Sequence, residues 1–133
     1  MKNILYITAL FCLVTFTSCR EERETEAAKL EQMAKETNKL LPQKMDEITM
    51  VDSVSVKGME FSYYYTILGR RKDSLGFDIS QVKKILREQA ASGIDTIPTF
   101  RDFKHQISFK YIYNDMNGNY LFDYTVRTKQ KHK

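Results

Sequence analysis

Apolar residues recur along this chain in three rhythms. From Ile4 to Phe16 they run almost without a break. From Ala27 they fall at steps of three and four: Ala27, Leu30, Met33, Ala34, Thr37, Leu40 and Leu41. That spacing predicts an amphipathic helix, stopped where Pro42 restricts Leu41. A period of two follows. Ile48, Met50, Val54 and Val56 alternate, with Asp52 interrupting the row, and Met59, Phe61, Tyr63, Tyr65 and Ile67 alternate unbroken. Two strands are predicted, joined by a turn at Lys57-Gly58.

The helical rhythm returns after a polar loop from Gly69 to Phe77. Asp78 is a good N-cap, with Gln81 placed as in a capping box. Ile79, Val82, Ile85, Leu86 and Ala90 are expected to be buried, while Lys83, Lys84 and Arg87 face water, and Gly93 marks the end. Ile97, Phe100 and Phe103 step by three around Pro98, which predicts a short helical turn. Two more strands carry Ile107, Phe109, Tyr111 and Tyr113, then Tyr120, Phe122, Tyr124 and Val126. Asn117-Gly118 between them is a strong hairpin signal.

The predicted order is α-β-β-α-β-β. Two hairpins favour an α+β fold: a four-stranded antiparallel sheet with both helices on one face. It would be a single domain over 27–128, followed by a basic tail at 129–133.

The first apolar run is shorter than the roughly 20 residues a spanning helix needs, and it follows the positive Lys2, as in a signal peptide. It ends in Phe16-Thr17-Ser18-Cys19. These residues resemble the lipobox of bacterial lipoproteins, in which lipid is attached to the cysteine and the chain is cut just before it. Phe16 and Ser18 depart from the commoner leucine and Gly or Ala. The resemblance implies a signal peptide over 1–18, lipid on Cys19 and a membrane-anchored envelope protein, in the outer membrane or at the cell surface. The Arg20 to Glu26 stretch would be a tether, and its acids resemble a surface-export signal.

Composition agrees with a small exported domain. Of 133 residues, 42% are hydrophobic and 29% charged, an ordinary globular balance. Lys and Arg number 21 against 17 Asp and Glu, too mild an excess to point to nucleic acid. Of the two cysteines, Cys12 would leave with the leader and Cys19 would carry lipid, so no thiol would remain for a disulfide, a metal or catalysis.

The mature part resembles a group of small exported bacterial proteins of unassigned function. The matching residues are Leu41-Pro42, Asp46, Thr49, Asp52-Ser53 and Phe61-Ser62-Tyr63-Tyr64-Tyr65-Thr66, with the C-terminal aromatic hairpin. The resemblance implies the fold and export, and carries no catalytic residues.

Candidate chemistry is sparse. Asp115, Asn117 and Asn119 begin like a calcium loop, but Tyr120 and Val126 stand where glycine and a bidentate Glu are required. The oxygens fit turn chemistry better. His105 is the one internal imidazole, and Asp102 and Ser108 beside it do not make a nucleophilic set. Asp46, Glu47, Asp52, Glu60 and Asp123 show no spacing that pairs two of them. Asp52 stands in the apolar row, either at a bulge or strand end that turns it to water or as a buried carboxylate with a partner.

Tyrosine is the distinctive residue. It belongs either to an aromatic core or to a tyrosine-lined groove for a peptide or glycan. Candidate binding residues are Tyr64, pointing away from its neighbours, and the basic loop Arg70, Arg71 and Lys72. No catalytic residue, metal or cofactor is expected. The reading is a non-enzymatic, lipid-anchored binding module whose partner is an envelope protein, peptide or glycan. The alternative is an inhibitor or immunity-type protein that blocks an enzyme through the Gly69–Asp78 loop.

Overall fold

The computed structural model describes the backbone of residues 2–130 and side chains from Arg20 to Gln130. The chain runs helix α1 (Lys2–Asn38), strands β1 (Gln43–Lys44), β2 (Thr49–Lys57) and β3 (Glu60–Ile67), helix α2 (Ile79–Gly93), then β4 (Ser108–Asn114) and β5 (Tyr120–Arg127). Three short 3-10 turns lie at Lys72–Ser74, Ile94–Thr96 and Pro98–Phe100. Among the described residues no helix is long and apolar enough to cross a membrane.

The fold is α+β as expected, but the sheet differs from the four antiparallel strands anticipated. It has five, in the order β1-β2-β3-β4-β5. β2–β3 and β4–β5 are the two hairpins, and β1 adds a short antiparallel edge. β3 and β4 run parallel, pairing Phe61 with Phe109, Tyr63 with Tyr111 and Tyr65 with Tyr113. The long connection through α2 makes this possible, because a parallel pair needs a crossover and a hairpin turn cannot supply one.

Local sequence signals set the turns and caps in part. The β2–β3 turn is Gly58-Met59, one residue later than Lys57-Gly58. Gly58 takes φ 60° while Met59 keeps a negative φ, the II′ pattern that matches strand twist. Asp78 caps α2 by accepting from the Ser80 N–H at 2.8 Å. Gly93 does not end the helix in the left-handed region; the chain tightens there into a 3-10 turn instead.

Asp52 sits at a bulge between Val51 and Ser53. The extra residue reverses the parity of the strand. Val51, Val54 and Val56 therefore share one face, while Ile48 and Met50, expected inside, do not join them. Asp52 is half-buried and accepts from the Thr66 hydroxyl at 2.6 Å. A second irregularity, between Tyr113 and Asn114, leaves Tyr120 exposed and buries Leu121.

Both helices join one core with the inner sheet face. α1 lies against β2 and contributes Leu30 and Ala34, while α2 lies against β5 with Ile79, Val82, Leu86 and Ala90. Ile85, expected in that buried set, is exposed. The segment after α2 closes the lower half of the face, where Phe100 meets Phe109 edge-on at 4.8 Å.

Helix α1 also begins earlier than Ala27. Residues 20–26, read as a tether, are helical. Arg20 pairs with Glu24 one turn on, at 3.1 Å. Glu26 is buried and its carboxylate accepts the N–H groups of Lys104 at 2.6 Å and His105 at 3.1 Å. The other end of α1 is fixed by Asn38, whose carboxamide donates to the Val54 carbonyl at 2.8 Å and accepts its N–H at 2.9 Å. That amide covers part of the β2 edge left bare beyond β1.

Phe61 and Phe109 are 2% and 0% exposed and face each other across β3 and β4. Truncating either to Ala is expected to destabilise the fold by about 3–5 kcal/mol. Urea melts of the two variants check this.

Candidate functional site

An aromatic ladder crosses the sheet beneath the two helices. Tyr63 stacks on Tyr111 at 5.3 Å and 6°, and Tyr65 on Tyr113 at 4.6 Å and 8°. Tyr111 then stacks on Tyr124 at 4.9 Å, and Tyr113 on Phe122 at 4.7 Å. These spacings are close to the separation of neighbouring strands, so pairing register alone brings the rings face to face. Burial raises the pKa of Tyr63, Tyr65, Tyr111, Tyr113 and Tyr124 above the phenol range. All five stay neutral.

At the upper end of this ladder Tyr113 and Phe122 are buried and Tyr65 is half-buried. A groove of about 460 Å³ opens there. Its floor is Tyr65, Ile67, Tyr113 and Phe122. Phe77, Val82 and Leu86 form one wall, and Met45, Asp46, Ile48 and Thr49 the other. The second wall is a preformed turn. Asp46 accepts the Ile48 N–H at 2.9 Å, and the Met45 N–H reaches the Thr49 carbonyl at 2.8 Å. The Ile48 bond holds the Asp46 carboxyl below the usual range.

Met45 and Ile48 are 61% and 46% exposed on that lip, and Ile85 is 53% exposed on α2. At 100° per residue Ile85 lies beside Val82, on the side away from Ile79 and Ala90. The groove therefore has apolar lips as well as an apolar floor, the kind of exposed patch that marks a contact surface. Its lining offers one carboxylate and no imidazole or thiol.

The residues singled out from the sequence fall elsewhere and apart. Tyr64 is half-buried on the opposite face of the sheet, with the Ser55 hydroxyl 3.4 Å from its own. Arg70, Arg71 and Lys72 are exposed in the β3–α2 loop. Cys19 and the rest of the leader lie outside the described side chains, as do residues 131–133.

The basic loop is tied down. Asp115 is buried and spends both oxygens on backbone and amide donors. Oδ2 takes the Lys72 N–H at 2.9 Å and the Asn119 amide at 3.1 Å, and Oδ1 takes the Asn117 and Asn119 N–H groups at 2.8 Å. The Met116 N–H also reaches the Arg70 carbonyl, and Leu75 is in the core. The Asp115–Asn119 oxygens thus do turn work. Among the described residues no acidic, His or Cys cluster could hold a metal ion.

His105 has its Nδ1 2.8 Å from Glu26, not from Ser108 or Asp102. Burial works against the Glu26 charge. The Lys104 N–H, the His105 ring and the His105 N–H outweigh it and lower the carboxyl pKa.

Comparison with known proteins agrees with this architecture. A family model described as Domain of unknown function (DUF8479) matches residues 24–131. The chain belongs to that DUF8479 family. No curated protein matches the sequence. Three solved structures share the fold of this DUF8479 domain. A Pseudomonas aeruginosa protein provisionally assigned as secreted is 12% identical, with TM-score 0.61 over 79% of this chain and 91% of that one. EpsS, a type 2 secretion system pilotin from Vibrio vulnificus, is 15% identical, with TM-score 0.61 over 80% and 91%. AspS, the type II secretion system pilotin from Vibrio cholerae, is 15% identical, with TM-score 0.60 over 82% and 94%. At these identities the likeness is one of fold.

Burial pushes the Asp115 carboxyl up, but its donors, led by the Asn119 and Lys72 N–H groups, bring it down to about 2. A depressed carboxyl stabilises the fold above its unfolded pKa of 3.8, and that stabilisation is lost as pH falls through about 2. Asp115→Asn should therefore be clearly less stable than wild type at pH 7. The gap should close between pH 4 and pH 2, read by melts across that range.

Proposed function

We propose that this DUF8479 protein is a non-enzymatic binding module of the bacterial cell envelope, held to a membrane through lipid on Cys19. The observation that carries the binding role is the groove. An apolar floor with exposed apolar lips remains open on the face where the helices pack, and a preformed turn walls it. Water-exposed Met45 and Ile48 contribute little to the core and line one opening, and exposed Ile85 lies beside Val82, which lines it too, an arrangement that suits a partner surface. The lipobox resemblance at Phe16 to Cys19 supports the envelope address. The fold shared with two secretion-system pilotins and a provisionally secreted protein is compatible with that setting.

Covalent lipid suffices for retention when several acyl chains act together, since each buried methylene contributes about 0.8 kcal/mol. Cys19→Ala should move the protein from the membrane fraction to the soluble one, and intact mass of the wild type should show acyl groups on Cys19. A wild type of plain mass in the soluble fraction would overturn the anchoring.

The groove is tested by Ile48→Asp and Ile85→Asp. Both side chains are exposed, so each variant should melt within about 0.5 kcal/mol of wild type. Each should lose the partner that wild type cross-links in intact envelopes. Equal cross-linking of that partner by wild type and both variants would remove the groove from the binding role.

A further inference from the structure

We infer that the outer edge of β5, apart from the groove, takes an extended acidic segment of a partner protein as a sixth strand. The two edges of this sheet are finished differently. On β2, β1 pairs with Met50 and Val51, and the Asn38 amide covers both backbone groups of Val54. β5 ends the sheet on the other side and pairs with β4 alone. The Thr128 N–H reaches the Ile107 carbonyl. Antiparallel alternation then turns the backbone groups of Phe122, Tyr124 and Val126 toward β4 and those of Asp123, Thr125 and Arg127 outward. Lys129 follows the outward phase, and there Asp95 Oδ1 accepts its N–H at 3.1 Å. Among the described residues nothing bonds the outward groups of Asp123, Thr125 and Arg127. Unpaired backbone groups are rarely buried, so this stretch faces water. Its donors and acceptors recur at a spacing that an extended chain matches.

Helix α2 sets the charge of that chain. It lies against β5 with Ile79, Val82, Leu86 and Ala90 toward the core. Val82 and Leu86 line the groove, so the flank that carries Val82 and Ile85 faces the middle of the sheet. The other flank overhangs the free edge, and at 100° per residue it carries Lys83 and Arg87. Both are exposed, and among the described residues neither is ion-paired. Lys84 and Glu88 point away from the sheet. The levels agree as well. β3 and β4 run parallel and β5 runs against them, so α2, returning from β3 to β4, runs the same way as β5. Counted back from the Asp95–Lys129 bond, Arg87 is about 12 Å up the helix and Thr125 about 13 Å up the strand. Lys83 and Asp123 are about 18 Å and about 20 Å up. Acidic side chains on the helix side of an added strand would meet both cations, and a basic strand would be repelled. Asp123 and Arg127, on the opposite face of β5, carry opposite charges and set no net preference.

A second copy does not fit this edge. Pairing two β5 strands would set their α2 helices about 4.8 Å apart, one strand spacing, where packed helices need about 8–10 Å. It would also bring two basic flanks together. The occupant is therefore a segment with no helix layered over it.

The test titrates the purified full-length protein with three eight-residue peptides. One alternates glutamate with threonine, one alternates lysine with threonine, and the third is the glutamate peptide with proline at its centre. At saturation the glutamate peptide should slow amide exchange at Asp123, Thr125 and Arg127 by about tenfold or more, leaving Phe122, Tyr124 and Val126 unchanged. Its affinity should fall by about tenfold in Lys83→Glu and in Arg87→Glu. Both side chains are exposed, so the variants should melt as wild type does. Equal binding of the lysine peptide would overturn the acidic assignment. Equal binding of the proline peptide, or binding without protection of those three amides, would overturn strand addition. No binding of the glutamate peptide, or a protein that dimerises through these amides, would overturn the inference whole.

Discussion

The parallel pairing of β3 with β4 governs the rest of this molecule. Strands that run the same way cannot be joined by a tight turn, so the chain must travel back from the top of β3 to the bottom of β4. That journey occupies residues 68–107 and contains α2. Because the crossover returns along the helical face, α2 comes to rest over β5, opposite α1 over β2. The two central strands receive no helix of their own. Their lower half is closed by Phe100 and Phe103 from the end of the crossover, and their upper half is where the groove lies.

Two helices are too little cover for five strands, and the residues on β3 and β4 suit that shortage. Aliphatic side chains in the uncovered region would be costly to leave wet. Tyrosine tolerates a half-buried position because its ring packs laterally while its hydroxyl meets water or a partner. Along these strands Phe61 and Phe109 are fully enclosed, Tyr63, Tyr65 and Tyr111 are half-buried, and Ile67 and Tyr113 beyond them are buried again.

Much of this was legible in the chain and some of it could not be. The two hairpins, the Asp78 cap and the aromatic rows depend on neighbours a few residues apart, and local pattern conveys them. The partner of β3 is a choice between distant segments, and alternation is the same in a parallel or an antiparallel pair. Bulges defeat pattern in another way. One extra residue at Asp52 took Ile48 and Met50 out of the inner row and put Val51 into it, although it left Val54 and Val56 where periodicity put them. The groove was legible only as a surplus of tyrosine. Its lips were hidden because Met45 sits in a turn and Ile85 fits the apolar period of α2 while remaining exposed. Glu26 reads as one more acid in a solvated run. Only the backbone of Lys104 and His105, distant in sequence, gives it a buried role.

The stretch of α1 that packs on the sheet is held by one polar side chain at each end, Glu26 to the segment before β4 and Asn38 to β2. A helix gripped at both ends cannot slide or swivel on the sheet without breaking one of those contacts. Arg20 to Glu26 continues the same rod outward without a turn. That stretch therefore works as a lever: a pull or tilt applied near its outer end reaches the strands directly, with no slack segment to absorb it. The orientation of the groove is thereby geared to the direction in which the chain leaves the domain.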